Sequence, residues 1–143
     1  MFRRHCSIAI LSCLAVCGLV QGQQPKVLKE WEFPAAENHR GTSLGKVFVS
    51  DHGASKPFEE VWTHYAKKIG YTKKYEPNLT HSGGAGQYEI QILNSTNDPG
   101  VTRRPSTKSA TLIRRGGGES ITVFMSRAKD EEKTYITLIV EGK

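Results

Sequence analysis

The chain has 143 residues, of which 20 are Lys or Arg, 14 are Asp or Glu and 37% are hydrophobic. This length supports one domain with, at most, a terminal tail. The composition excludes wholesale disorder, a collagen-like chain and a membrane protein with several spans.

The N-terminus has the three-part pattern of a secretory signal peptide. Arg3 and Arg4 begin it, an apolar run covers residues 8–20, and Gly22 precedes the expected cleavage point. The apolar run is about 13 residues long, whereas a helix needs roughly 20 to span a bilayer. We therefore predict a signal peptide at 1–22 and a secreted or periplasmic protein. The alternatives are an uncleaved N-terminal anchor and a lipoprotein anchored at Cys17.

All three cysteines of the chain lie inside this predicted signal peptide: Cys6, Cys13 and Cys17. The mature chain would therefore contain no disulfide, no thiolate nucleophile and no cysteine metal ligand. Its net charge would be +4, because Arg3 and Arg4 are removed with the signal. This mild basic excess suits contact with anionic surfaces without requiring nucleic acid.

The first part of the mature chain is polar. Residues 23–45 contain prolines and glycines, so we predict an extended arm, with a short strand near Trp31 and Phe33 as an option. The β-branched and aromatic run at 46–50 predicts a strand. Asp-His-Gly at 51–53 predicts a turn after it.

An amphipathic helix is the clearest predicted element. From Phe58 to Ile69, apolar residues fall at offsets 0, 3, 4, 7, 8 and 11, which is one face of an α-helix. Ser55 is placed to cap the helix, Pro57 is tolerated in the first turn, and Gly70 is a natural stop. The spacing predicts a helix over about 56–69.

Strands dominate the rest of the chain. After a loop at 71–86, alternating apolar and polar residues predict a strand at 88–92, and a second loop follows at 94–109. Three further strands are predicted, at 110–115, 120–126 and 134–140. Short turns between these three force an antiparallel meander. We therefore predict a single α+β domain at 46–143, with one helix packed on a four- or five-stranded antiparallel sheet.

The predicted sheet has two faces but only one helix to cover them. If Arg115 pairs with Ser120 around the glycine turn, one face carries the core residues Leu112, Ile121, Val123, Met125, Ile136, Leu138 and Val140. Phe124 and Tyr135 lie on the opposite face. That second face is left with three alternatives: water, the N-terminal arm packing through Trp31 and Phe33, or a partner, which includes a second copy of the chain.

Five basic residues fall within residues 103–115. Arg103, Arg104, Lys108 and Arg115 form a candidate basic rim, and Phe124 and Tyr135 complete the set of candidate binding residues. The rim predicts weak contact with an anionic polymer or lipid head groups. No aromatic residues are interleaved with it, so specific nucleic-acid binding is not predicted.

No catalytic constellation is visible in the sequence. The histidines lack metal-ligand spacing, no serine lies in a nucleophile elbow, and we predict no metal site, cofactor or catalytic residue. His64 is predicted to be a solvated helix residue. We favour a non-catalytic binding module. The alternative is a small hydrolase that uses His52 or His81 with a carboxylate brought close by the fold.

Overall fold

A computed structural model describes residues 26–95 and 106–142 of the protein. The elements in chain order are α1 (Lys26–Trp31), β1 (Ala36–Leu44), β2 (Val47–Ala54), α2 (Phe58–Lys68), β3 (Thr80–Gly83), β4 (Tyr88–Ser95), β5 (Thr107–Gly116), β6 (Glu119–Ala128) and β7 (Thr134–Gly142). The predicted signal peptide, the lipidation candidate Cys17 and the site candidates Arg103 and Arg104 lie outside the described residues. No helix in the described ranges is long and apolar enough to cross a membrane.

All seven strands form one open sheet in the order β1-β2-β7-β6-β5-β4-β3, and every neighbouring pair is antiparallel. The predicted α+β class and the closing meander are confirmed. The predicted number of four or five strands is wrong, and so is the single helix. The two missed strands, β1 and β3, are the edges of the sheet. They are polar and short of buried residues, so they lack the alternation that identifies a half-buried strand.

Residues expected to form an extended arm contribute a helix and an edge strand instead. Trp31 and Phe33 are 6% exposed and belong to the main core cluster. The segment therefore does not lie over the second face of the sheet. The predicted turn at 51–53 is also wrong, because these residues lie within β2 and pair with β7. Pairing with β7 satisfies the backbone groups of β2 as far as Ala54, so the strand continues through the turn signal.

Helix α2 begins and ends close to its predicted bounds. Its buried residues are Phe58, Val61, Trp62, Tyr65 and Ala66, as the spacing predicted. Pro57 rather than Ser55 is the N-cap, and no side chain caps the helix. At the other end, the amide of Gly70 donates to Lys67 O and that of Tyr71 to Ala66 O. These two hydrogen bonds, together with the left-handed conformation of Gly70 (φ +87°), form a Schellman motif.

Both helices pack on the same side of the sheet. We call that side the helix face; it carries alternate residues such as Leu112, Val123 and Leu138, which are fully buried with the helices in one cluster. The other side, the open face, carries the residues between them. On β6 and β7 none of these intervening residues is buried. The predicted register, Arg115 opposite Ser120, and the predicted division of faces are confirmed.

Candidate functional site

Two aromatic side chains mark the centre of the open face. Phe124 is 41% exposed and Tyr135 is 49% exposed. Phe124 lies opposite Thr137, and Tyr135 lies opposite Ser126, so the two aromatics are diagonal neighbours on paired strands. Such neighbours are on the order of 7 Å apart, within reach of one partner side chain. The sheet therefore presents them as one pair.

The residues paired with Phe124 on the two neighbouring strands are uncharged. Across the sheet from Phe124 stand Thr111 and Thr137, and the Thr137 hydroxyl donates to Asp51 Oδ1 at 2.5 Å. Ile113 and Ile139 follow in the next row and are half-buried. Hydroxyls and aliphatic groups thus surround Phe124, whereas the Lys133 side chain, paired with Glu37, lies over Gly53, the residue opposite Tyr135. Such a surface suits a partner that offers apolar area and hydrogen-bonding groups.

Lys108 lies on the helix face, beside the start of α2. Its Nζ forms an ion pair with Glu59 Oε1 and sits 5.9 Å from the centre of the Tyr75 ring. The Lys108 ammonium lowers the pKa of the Glu59 carboxyl. Lys108 and Glu59 line a cleft of about 470 Å³ beside the start of α2. The cation predicted to be available for a ligand is therefore already paired.

Arg115 occupies the other end of the same strand. It lies seven positions after Lys108, which is about 23 Å along the strand. Its guanidinium lies 3.4 Å from Glu89 Oε2 on the neighbouring strand. The predicted basic rim is consequently divided: Lys108 and Arg115 belong to opposite ends of the sheet.

His52 is buried between β1, α2 and the sheet. Its Nε2 lies 3.5 Å from Tyr65 Oη, its Nδ1 has no hydrogen-bond partner within the described residues, and the His39 ring stacks on it at 5.3 Å. Burial, and then the nearby His39, lower the pKa of His52 to about 4, partly opposed by Asp51. The imidazole is therefore neutral near pH 7. Asp51 points to the open face, because adjacent strand residues alternate.

His81 packs against two aromatic rings. Its ring lies between Tyr71 and Tyr88, with centroid distances of 5.5 and 6.0 Å. In the parts of the chain that the structure describes, neither His52 nor His81 has a carboxylate hydrogen-bond partner. The arrangement that would favour the hydrolase alternative is not found there, and that alternative stays a prediction.

His64 differs from its prediction. It packs edge-on against Phe33 at 5.0 Å, and its Nε2 is buried without a partner in the described residues. Burial lowers the pKa of His64. His64 is covered because Phe33 packs against it. The sequence pattern could not indicate where the segment that carries Phe33 would pack.

Sequence reasoning missed a second group of cations. Lys68 and Arg114 both lie over the ring of Trp31, at 5.6 and 5.8 Å from its centroid. Neither residue is among the candidate binding residues predicted from the sequence. The sequence did contain one indication of the position of Arg114. Arg114 is two residues after Leu112 on the same strand, so both side chains lie on the helix face.

No cluster of three or more potential metal-ligating side chains exists among residues 26–95 and 106–142. Comparison with models of protein families gives no match, and comparison with curated proteins gives no relative.

Proposed function

We propose that the protein is an exported, non-catalytic binding module whose open face contacts a protein partner. The observation that carries the proposal is the exposed pair Phe124 and Tyr135, centred on a sheet whose two helices both lie on the other face. Export is supported by the N-terminal sequence pattern, with its basic start and short apolar run.

A protein partner suits the chemistry of this face. Aromatic side chains supply much of the energy of protein interfaces, while charged groups are depleted at interface centres. The rows around Phe124 contain threonine, serine and isoleucine, which can be desolvated at less cost than charges. A second copy of the chain is the simplest partner. Two such faces can pack as stacked sheets about 10 Å apart.

Sedimentation velocity over a range of protein concentrations tests this proposal. We expect the wild-type protein to form dimers, and Phe124→Glu and Tyr135→Glu each to shift the population to monomer. Both positions are exposed on the open face, so neither change should prevent folding. A carboxylate introduced there would have to be desolvated and would face its own copy across the interface.

The matched control is Thr72→Glu, which adds the same charge at an exposed loop position outside the sheet. It should dimerise as the wild type does. A wild-type protein that stays monomeric at the highest concentration would contradict self-association through this face. Equal weakening by all three variants would attribute the effect to net charge.

A further inference from the structure

A groove lies between the C-terminal ends of α1 and α2 and the turn that joins β5 to β6. It has a volume of about 640 Å³, within the range of about 300–1,000 Å³ that is usual for small-ligand sites. The charged residues that line it are Lys67, Lys68, Arg114, Arg115, Glu30 and Glu119. This site is distinct from the open face and does not depend on the function proposed above.

The fold brings these cations together from two distant segments. Lys67 and Lys68 form the last turn of α2, which ends above the sheet near the β5–β6 turn. Arg114 and Arg115 alternate between the two faces, yet both line the groove because β5 ends there. The two pairs are far apart in the chain, so the sequence alone does not show that they lie close together.

Two of the cations are held in place before any ligand arrives. Trp31 is only 6% exposed, and the Lys68 ammonium and Arg114 guanidinium lie over its ring. Cation–π attraction favours this placement. Lys68 Nζ also donates a hydrogen bond to the backbone carbonyl of Glu30. Preorganised cations lose less conformational entropy on binding, so they bind an anion more tightly than mobile surface lysines do.

The balance of charge selects the ligand. Among the lining residues four cations face two carboxylates, which leaves an excess of two positive charges. Just outside, Lys26 contacts Glu30 at 3.8 Å and Glu89 contacts Arg115 at 3.4 Å, and these two outer groups offset one another. Lys67 and Arg114 have no carboxylate partner in the described residues.

We propose that this groove binds a phosphate monoester, a small ligand whose charge at neutral pH is about −1.5 to −2. The excess of two positive charges matches that dianion, and the guanidinium of Arg114 can donate two hydrogen bonds to phosphate oxygens. A concave site suits a compact ligand better than a flat membrane surface. Trp31 is too deeply buried to stack on a nucleic-acid base, so single-stranded nucleic acid is not favoured.

Titration of the purified protein with inorganic phosphate and with a hexose phosphate, at constant ionic strength, tests the proposal. We expect saturable binding at one site by calorimetry, with NMR shifts concentrated at Trp31 and the β5–β6 turn. The double variant Lys67→Gln with Arg114→Gln should weaken binding roughly tenfold or more, because it removes two charge-assisted contacts. Both side chains are exposed, so the variant should fold, and circular dichroism checks this.

The matched control is Arg40→Gln with Lys129→Gln, which removes one arginine and one lysine from exposed positions outside the groove. Its affinity should stay within about twofold of the wild type. Equal weakening by the two double variants would overturn the proposal in favour of diffuse attraction. Absence of saturable binding at millimolar phosphate would overturn it too. So would binding confined to anionic lipid vesicles or to a long polyanion.

Discussion

The two faces of the sheet differ although they are built from the same strands. Along β6, Val123 and Met125 are fully buried, while Phe124 between them is 41% exposed. On the helix face even Ser50 and Thr134 are fully buried. A phenylalanine in solvent and a serine in the core show that the position of the helices, more than the polarity of each residue, decides what is covered. A face left open in this way is available for a partner.

The largest expected effect compares two neighbouring residues of β7. Leu138→Ala should lower the free energy of unfolding by about 2–5 kcal/mol, since Leu138 is fully buried beneath the helices. Ile139→Ala should cost about 1–2 kcal/mol, because Ile139 is only half-buried on the open face. Urea unfolding of both variants measures the difference. Equal losses would mean that the open face is covered in solution.

Acidification should lower the stability of the fold chiefly through histidines buried on the helix face. The pKa of His52 falls from 6.5 to about 4 on folding, so the unfolded chain binds a proton more readily between these values. Stability is therefore fully present above pH 6.5 and falls as the pH drops towards 4, by on the order of 3 kcal/mol from this group. The lowered pKa of His64 acts in the same direction.

Unfolding by urea at several pH values, with the wild type and His52→Gln, measures this contribution. The variant should be less stable at neutral pH, because glutamine fits the buried site poorly, but its stability should depend less on pH between 6.5 and 4. A pH dependence as steep as that of the wild type would show that burial of this imidazole is not responsible.

The smallest effect concerns the ion pair between Lys108 and Glu59. Both side chains are about half exposed, so solvent screens the pair and Lys108→Gln should cost less than about 1 kcal/mol. The same substitution should raise the pKa of Glu59 towards its usual value, since Lys108 is the first cause of its lowering. An NMR titration of the Glu59 carboxyl carbon measures this. An unchanged Glu59 pKa would contradict the pairing.

Much of the centre of the fold could be predicted because its local signals agree. The glycine turn set Arg115 opposite Ser120, and alternation then assigned Val123 and Phe124 to opposite faces. Edge strands β1 and β3 could not be found in this way, since a polar strand stabilised by one neighbour carries no alternation. His52 was predicted in a turn, because Asp-His-Gly is a turn signal until β7 pairs with it.

The candidate binding residues also differ in whether the sequence could predict their positions. Phe124 and Tyr135 could be assigned to the face opposite the core, because each alternates with buried residues of its own strand. The groove cations Lys67 and Arg114 could not be grouped, since 46 residues separate them and only the packing of α2 on the sheet joins them.

The amino-acid sequence by itself determined the amphipathic helix, the closing meander and which side of each central strand is apolar. These features depend on periodicities of two and of about 3.6 residues, which local backbone geometry imposes on the chain. Tertiary structure alone decided that both helices share one face, that residues 26–44 complete the core and edge, and that distant cations meet in a groove. Those outcomes depend on which apolar surfaces find each other, and no local pattern records that choice.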